Sequence, residues 1–317
     1  MPVNEIRQRF LGDFKHLDLN SRPSAWLIVS WYVLQTLGAM AVGWWLLKRE
    51  HFGFAEGAAL ALIMFFIATR FRGFNNIVHE CSHFAFSRCR EDNATLGSIC
   101  ASLVLGCFRD YRYEHMTHHA HLGDYEKDLD LKSIRDFRLE DPLTPKTILR
   151  HVLTPLLLLH YPHYLSLNLS GKDGAFFRAM KIGLILVAVV FLVVDPLAAV
   201  LLLWIPFLWI YTAVNYWTDC VDHGGLIGSD NELDASRNLQ LPQPLRTILF
   251  PRNDCYHLIH HLFPQVPTHH FVYCHESLLN NAEYQARADG SHWPVPAEPA
   301  EDKNFSGAPG EGDNVAG

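Results

Sequence analysis

AWLIVSWYVLQTLGAMAVGWWLL, residues 25–47, carries no charged side chain from Ala25 to Leu47. A bilayer core about 30 Å thick is crossed by roughly 20 such residues in a helix, so this stretch predicts a membrane span. Segment 1–24 before it is polar and mixed in charge. It shows no cleavable leader, and the first span is expected to stay in the mature protein. A second apolar run, 54–71, follows a short connector, with Glu56 near its start and Arg70 and Arg72 at its end. The two runs predict a helical hairpin. Residues 179–218 are too long for one span. Asp195-Pro196 interrupts them, because proline removes a helical hydrogen bond, and spans at 179–194 and 197–218 are expected around a tight turn. The fold expected is an all-α membrane protein with about four transmembrane helices in two hairpins and a cytosolic helical cap.

The remaining segments fit around that frame. Residues 94–108 are apolar but short, which suits a re-entrant or interfacial helix. Residues 148–169 mix Tyr161, His163 and Tyr164 with leucines, as at a membrane surface. The principal domain is expected over 25–285. The tail 286–317 becomes rich in Gly, Pro, Ala, Asp and Glu and is expected to be disordered. Arg7, Arg9, Lys15 and Arg22 precede the first span, and Arg70, Arg72, Arg88 and Arg90 follow the second. The positive-inside rule then puts both termini and the polar segments in the cytoplasm. Lys48 and Arg49, in the first outer loop, run against that assignment. The net charge of -7 argues against a nucleic-acid partner. The seven cysteines include no CxxC pair. Cys100 and Cys107 read as packing residues, and reduced thiols suit a cytosol-facing domain.

Histidine is the outlier, with 19 residues, several of them clustered. His79-Glu80-Cys81-Ser82-His83 places two imidazoles at i and i+4, on one helix face. His115-Met116-Thr117-His118-His119 and His257-Leu258-Ile259-His260-His261 each place three at i, i+3 and i+4. His223, in Asp222-His223-Gly224, stands alone just past the last span. Any one cluster is ordinary surface histidine, and a lone His223 is more often structural than a ligand. Three clusters on one predicted side of the membrane point instead to a metal site. Imidazole suits Zn, Cu, Fe and Ni. Eight or nine ligands exceed the needs of one ion, so two ions are implied. Soluble di-iron bundles rely on a set of Glu and Glu-x-x-His ligands; the clusters here are built of histidine, and an all-nitrogen ligand set is expected instead.

The boxes HECSH, HMTHH and HLIHH resemble those of the membrane-bound fatty acid desaturase and hydroxylase superfamily, and His257–Pro264, HLIHHLFP, is especially similar to the third box of acyl desaturases. His223 in DHGG sits where many relatives, reading EHG, carry a further ligand. Asp128-Leu129-Asp130 resembles an acidic segment that follows the second box, where DPD is common. The resemblance covers roughly residues 25–285 and is specific for the superfamily, not for a substrate. It implies two non-heme irons held by His79, His83, His115, His118, His119, His223, His257, His260 and His261. It also implies O2 and removal of hydrogen from an unactivated C–H bond of a fatty acyl chain or related lipid. Metal-bound histidine usually donates its other N–H to a carboxylate or carbonyl, which makes Glu80, Glu114, Asp219, Asp222 and Asp254 candidate ring partners. No catalytic residue separate from the ligands is expected. Asn215 reads as an interhelical hydrogen-bonding residue, and Tyr216 and Trp217 as interface anchors or tunnel wall. His121, His269 and His270 lie outside the spacing. With no HPGG segment, electrons are expected from a separate ferredoxin, rubredoxin or cytochrome b5-like donor. A hydroxylase or ketolase, or a small-metabolite desaturase of the dihydrorhizobitoxine type, is the alternative within the superfamily. Outside it, the literal HExxH at His79–His83 suggests a zinc membrane protease with Glu80 as base, which leaves both HxxHH boxes unexplained. A metal transporter would place its site within the spans.

Overall fold

A computed structural model describes residues 3–165, 167–227 and 232–290. Among these residues there are helices and no strands, only isolated bridges at Asn20–Ser87 and Asn238–Tyr256. Four helices are long and apolar enough to cross a membrane: α2 (Arg22–Leu47), α3 (Phe54–Ser82), α7 (Ala175–Val194) and α8 (Pro196–His223). Their outward side chains are apolar, with Leu62 72% exposed and Val193 76% exposed, as a lipid-facing surface requires. Local chemistry sets their ends. The Ser21 hydroxyl accepts from Ser24 N at the start of α2, with Pro23 in the first turn. Glu56 accepts from Gly53 N ahead of α3. Asp195 ends α7 and caps α8 through Ala198 N. The Asp195 carboxylate also meets Lys48 Nζ at 2.8 Å and Trp44 Nε1 at 2.9 Å. The turn between α7 and α8 therefore lies at the same end of the bundle as the turn after α2, as two hairpins demand. Lys48, which ran against the charge rule, is neutralised there.

Two spans run further than hydropathy indicated. With 29 residues, α3 is about 43 Å long at about 1.5 Å per residue. It outreaches a bilayer core of about 30 Å by roughly two turns. The second span was expected to stop at 71. It continues to Ser82 because its polar residues, Arg72, Asn76 and Glu80, find buried partners in the cap. Similarly α8 continues past 218 to His223. Its Val200–Tyr211 portion is wound as a π-helix containing Pro206, whose missing N–H cannot support regular α pairing.

The cap completes the fold. The helix expected within 94–108 is α4 (Arg90–Leu103), which packs on α3 and α7 and buries Leu96, Cys100 and Ala101. It is followed by α5 (Phe108–His121). A Cβ at Gly97 would lie 2.5 Å from Phe108 Cε2, so glycine is what lets α4 and the start of α5 touch. The surface segment 148–169 is not one helix. α6 (Pro145–Leu156) contains Pro155, and Leu158 takes a φ of 60°, which breaks the run before the short turn Tyr161–Tyr164. The third box forms α10 (His257–Leu262), after α9 (Gln243–Leu249) and before α11 (Phe271–Leu278) and α12 (Ala282–Gly290). The expected disordered tail is thus helical to residue 290, and the rest of it lies outside the described residues. At the other end, Val3–Phe14 is a helix, α1. Ile6, Phe10 and Phe14, four residues apart, bury one face against the third-box core, and Arg7 donates to the carbonyls of His261 and Leu262.

Candidate metal centre

The extended end of α3 brings His79 and His83 above the membrane core, His83 as the helix's C-terminal cap. α5 presents His115, His118 and His119, α8 ends on His223, and α10 supplies His257, His260 and His261. All nine converge. They form two groups, His79, His83, His115, His119 and His260, and His118, His223, His257 and His261, with the ligating atoms of each group within 4.8 Å of one another. Eight of the rings are buried and His119 is half-buried. Both groups draw on α5 and α10, whereas α3 serves only the first and α8 only the second.

The separations suit metal ions. In the first group Nε2 atoms face each other at 2.7 Å for His79 and His260, 2.8 Å for His119 and His260, and 2.9 Å for His83 and His115. In the second the distances are 2.9 Å for His223 and His257 and 3.0 Å for His257 and His261. Two nitrogens about 2.1 Å from one metal at a right angle are about 3.0 Å apart. The ring protons point the same way. His223 Nδ1 lies 3.0 Å from the Ala235 carbonyl, which can only accept, so this nitrogen carries the proton and Nε2 is a lone pair. His257 Nδ1 faces the Asp222 carboxyl at 3.4 Å. A lone pair on His223 Nε2, 2.9 Å from His257 Nε2, is what a cation shared by the two rings would need. Burial holds the His119, His257, His260 and His261 imidazoles well below the ordinary histidine range, keeping them in the neutral, ligating form.

Of the five carboxylates anticipated as ring partners, only Asp222 reaches a ring. Glu80 pairs with Arg252 and Asp254 with Arg72. Glu114 is exposed, and Asp219 accepts from the Tyr164 hydroxyl at 2.6 Å. Neighbours in a helix point about 100° apart, so Glu80 and Glu114 turn away from His79 and His115. The residues missed are Asp128, which takes His118 Nδ1 at 2.9 Å, and Asp130, 3.5 Å from His115 Nδ1. Burial alone would lower His118, but the Asp128 hydrogen bond and charge leave it raised. Burial likewise lowers His115, and Asp130 offsets this only in part. The signal was present in the DLD segment, an acidic pair one tight turn after the second box. With Glu80 bound to Arg252, no carboxylate is free at the HExxH to act as a protease base.

A cavity of about 400 Å³ adjoins the histidines. Val78, Val104, Leu131, Ile134, Phe207 and Tyr211 give it apolar wall, and Asn75, Asp110, Glu114, Asn168 and Asp219 give it polar wall. Asn215 lines it and accepts from Arg72 Nη1 at 3.0 Å, linking α8 to α3. Tyr216 does not line it. This ring is fully buried and pairs with His151 at 2.6 Å, and Trp217 donates to the His151 carbonyl. The rings of His269 and His270 pack on each other beside Asp18 O, and His121 ends α5 outside both groups.

The profile of the fatty acid desaturase family matches residues 55–293. The acyl-lipid omega-3 desaturase (cytochrome b5) of the endoplasmic reticulum of Arabidopsis thaliana is 29% identical over 229 residues, covering 61% of this chain and 57% of the plant protein. The chloroplastic sn-2 acyl-lipid omega-3 desaturase (ferredoxin) of the same plant is 26% identical, covering 61% of this chain and 49% of that one. The dihydrorhizobitoxine desaturase of Bradyrhizobium elkanii is 27% identical over 252 residues, covering 73% and 67%. The chain thus spans about half the length of the plant relatives it matches.

Proposed function

The chain belongs to the fatty acid desaturase family, and from that premise we propose that it is a membrane-embedded, O2-dependent non-heme di-iron desaturase. Its substrate on this reading is an unactivated pair of C–H bonds in a fatty acyl chain or related lipid. The observation that carries the proposal is the division of nine imidazoles into two adjoining groups beside a cavity. Iron held by the nine histidines would supply the oxygen activation that side chains cannot.

The chain's own residues do the rest. Asp128 and the Ala235 carbonyl hold the protons of His118 and His223 on Nδ1, so each Nε2 lone pair faces inward, and Asp222 lies beside His257 Nδ1. The cavity's apolar wall holds the substrate and excludes water, and its volume lies within the usual range for small-molecule sites. Electrons come from a separate ferredoxin, rubredoxin or cytochrome b5-like carrier, in keeping with the carriers in the relatives' names. The His boxes and both termini are cytoplasmic, by the arginine distribution. A second reading is a hydroxylase, ketolase or small-metabolite desaturase. The polar part of the cavity wall and the similarity to dihydrorhizobitoxine desaturase favour a compact polar substrate for it.

Detergent-purified protein from iron-replete cells should contain about two irons per chain, and mass spectrometry of lipids from expressing cells should show a new alkene. A single zinc and no iron would overturn the di-iron reading. A new alcohol or a modified polar metabolite would move the assignment to the second one.

A further inference from the structure

Glu80 and Asp254, two of the four anticipated carboxylates that hold no imidazole, are each paired with an arginine across one contact between α3 and the chain ahead of the third box. Arg72, Asn76 and Glu80 are spaced four residues apart and form one stripe of α3. All three are bound to a single short segment, Pro251–Asp254. Arg72 Nε donates to Asp254 at 3.1 Å, Asn76 Nδ2 to the Pro251 carbonyl at 2.7 Å, and Arg252 Nη2 to Glu80 at 2.9 Å. The four charged side chains are at most 9% exposed. Their polarity is crossed, since each segment contributes one arginine and one carboxylate. A shift of α3 by one turn would leave Arg72 and Arg252 facing no carboxylate, and unpaired buried charges are strongly unfavourable. Only one register therefore satisfies the stripe. Arg252 and Asn253 both adopt left-handed backbone, with φ of 66° and 58°, a region that side chains disfavour. The Glu80 pair and the bond from Asn253 to the Thr268 carbonyl hold this turn. Three residues later the same segment becomes α10.

We propose that this stripe is a register clamp, in which Arg72, Asn76, Glu80, Arg252 and Asp254 are positioning residues that set α3 against the third box so that His79 and His83 complete the five-histidine group. The inference rests on the metal reading above. Its consequence is selective. α3 gives histidines only to the first group. The third-box histidines of the second also have anchors that do not involve α3. Leu258 N donates to the Arg237 carbonyl, Ile259 N to Asn238 Oδ1, and Arg7 to the His261 carbonyl. Loosening the clamp should empty one metal site and spare the other, whereas general loss of structure would empty both.

Cobalt(II) titrated into metal-depleted, detergent-purified protein reads this directly. The wild type should bind two equivalents, and failure to do so counts against the metal reading itself, before any variant is made. Glu80→Gln should keep one tight equivalent and bind the other at least about tenfold more weakly. If that variant does not fold, Arg252→Lys, which keeps the charge but loses the two-pronged contact, should show the same split. The exchanged pair E80R/R252E should regain the second equivalent. The clamp is overturned if the single variants keep both equivalents at wild-type affinity, if they lose both together, or if the exchanged pair stays at one.

Discussion

Replacing Asp128 by asparagine tests how the second histidine group is oriented. Asp128 is fully buried and uses both oxygens. One accepts from His118 Nδ1 at 2.9 Å, and the other from Leu131 N at 3.0 Å, capping the short helical turn Leu129–Lys132. Asparagine has a single oxygen. If it stays on Leu131 N, the amide N–H faces His118 Nδ1 and drives the ring proton to Nε2, where a metal has to bind. If it turns to His118, two N–H groups face each other at the cap. A buried donor left unpaired costs about 1–3 kcal/mol. Loss of a ligand's ring partner typically costs about 10- to 100-fold in metal affinity, or about 1.4–2.7 kcal/mol at about 1.36 kcal/mol per decade. The two estimates agree, so Asp128→Asn should weaken one cobalt equivalent by about 10- to 100-fold and leave the other unchanged. Asp130 is the comparison. It lies farther off, 3.5 Å from His115, and its side chain is 46% exposed where that of Asp128 is fully buried, so Asp130→Asn should cost less metal affinity than Asp128→Asn. Wild-type affinity for both equivalents in Asp128→Asn, or a larger loss in Asp130→Asn, would refute the reasoning.

The remaining predictions concern His223, pH and topology. His223→Ala should lose turnover as severely as His260→Ala, because both rings stand in a group, whereas His269→Ala should retain it; full activity in His223→Ala, at unchanged expression, would remove that residue from the site. A ligand must be neutral, and the raised His118 imidazole takes up its proton at a higher pH than the depressed His119 and His260. On stepwise acidification the four-histidine group should release metal first, and release of both equivalents at one pH would contradict this. Reporters fused before Pro2 and after Gly317 should report the same, cytoplasmic side, since the Lys48–Asp195 contact puts both hairpin turns at one end; opposite sides would mean an odd number of spans.

The spans and the histidines were legible for the same reason, that each is a local pattern. An uncharged run such as 25–47 must leave water wherever it lies, and i, i+4 spacing puts His79 beside His83 whatever surrounds them. What escaped depends on partners distant in sequence. Hydropathy stopped the second span at 71 because Arg72, Asn76 and Glu80 look solvated until residues 251–254 are placed against them. Proximity in sequence nominated Glu80 and Glu114 as ring partners, and helix geometry turned both away. Asp128 meets its ring only because the chain reverses at Gly123, where φ is 86°. The apolar series Ile6, Phe10 and Phe14 was visible in principle, but the charged residues around it made segment 1–24 read as merely polar.

The short helix α10 contributes to both histidine groups, and this sets an order on biogenesis. His79 and His83 leave the ribosome long before His257, and the last span is finished at His223. Without His257, His260 and His261, the second group is halved and the first lacks the imidazole that faces both His79 and His119. Neither centre can mature while the chain is still threading into the bilayer. On the di-iron reading, metal loading is a late event, possible only after all four spans are inserted and the third box has folded back over them. A nascent chain arrested before residue 257 would carry the first two boxes with both histidine groups incomplete.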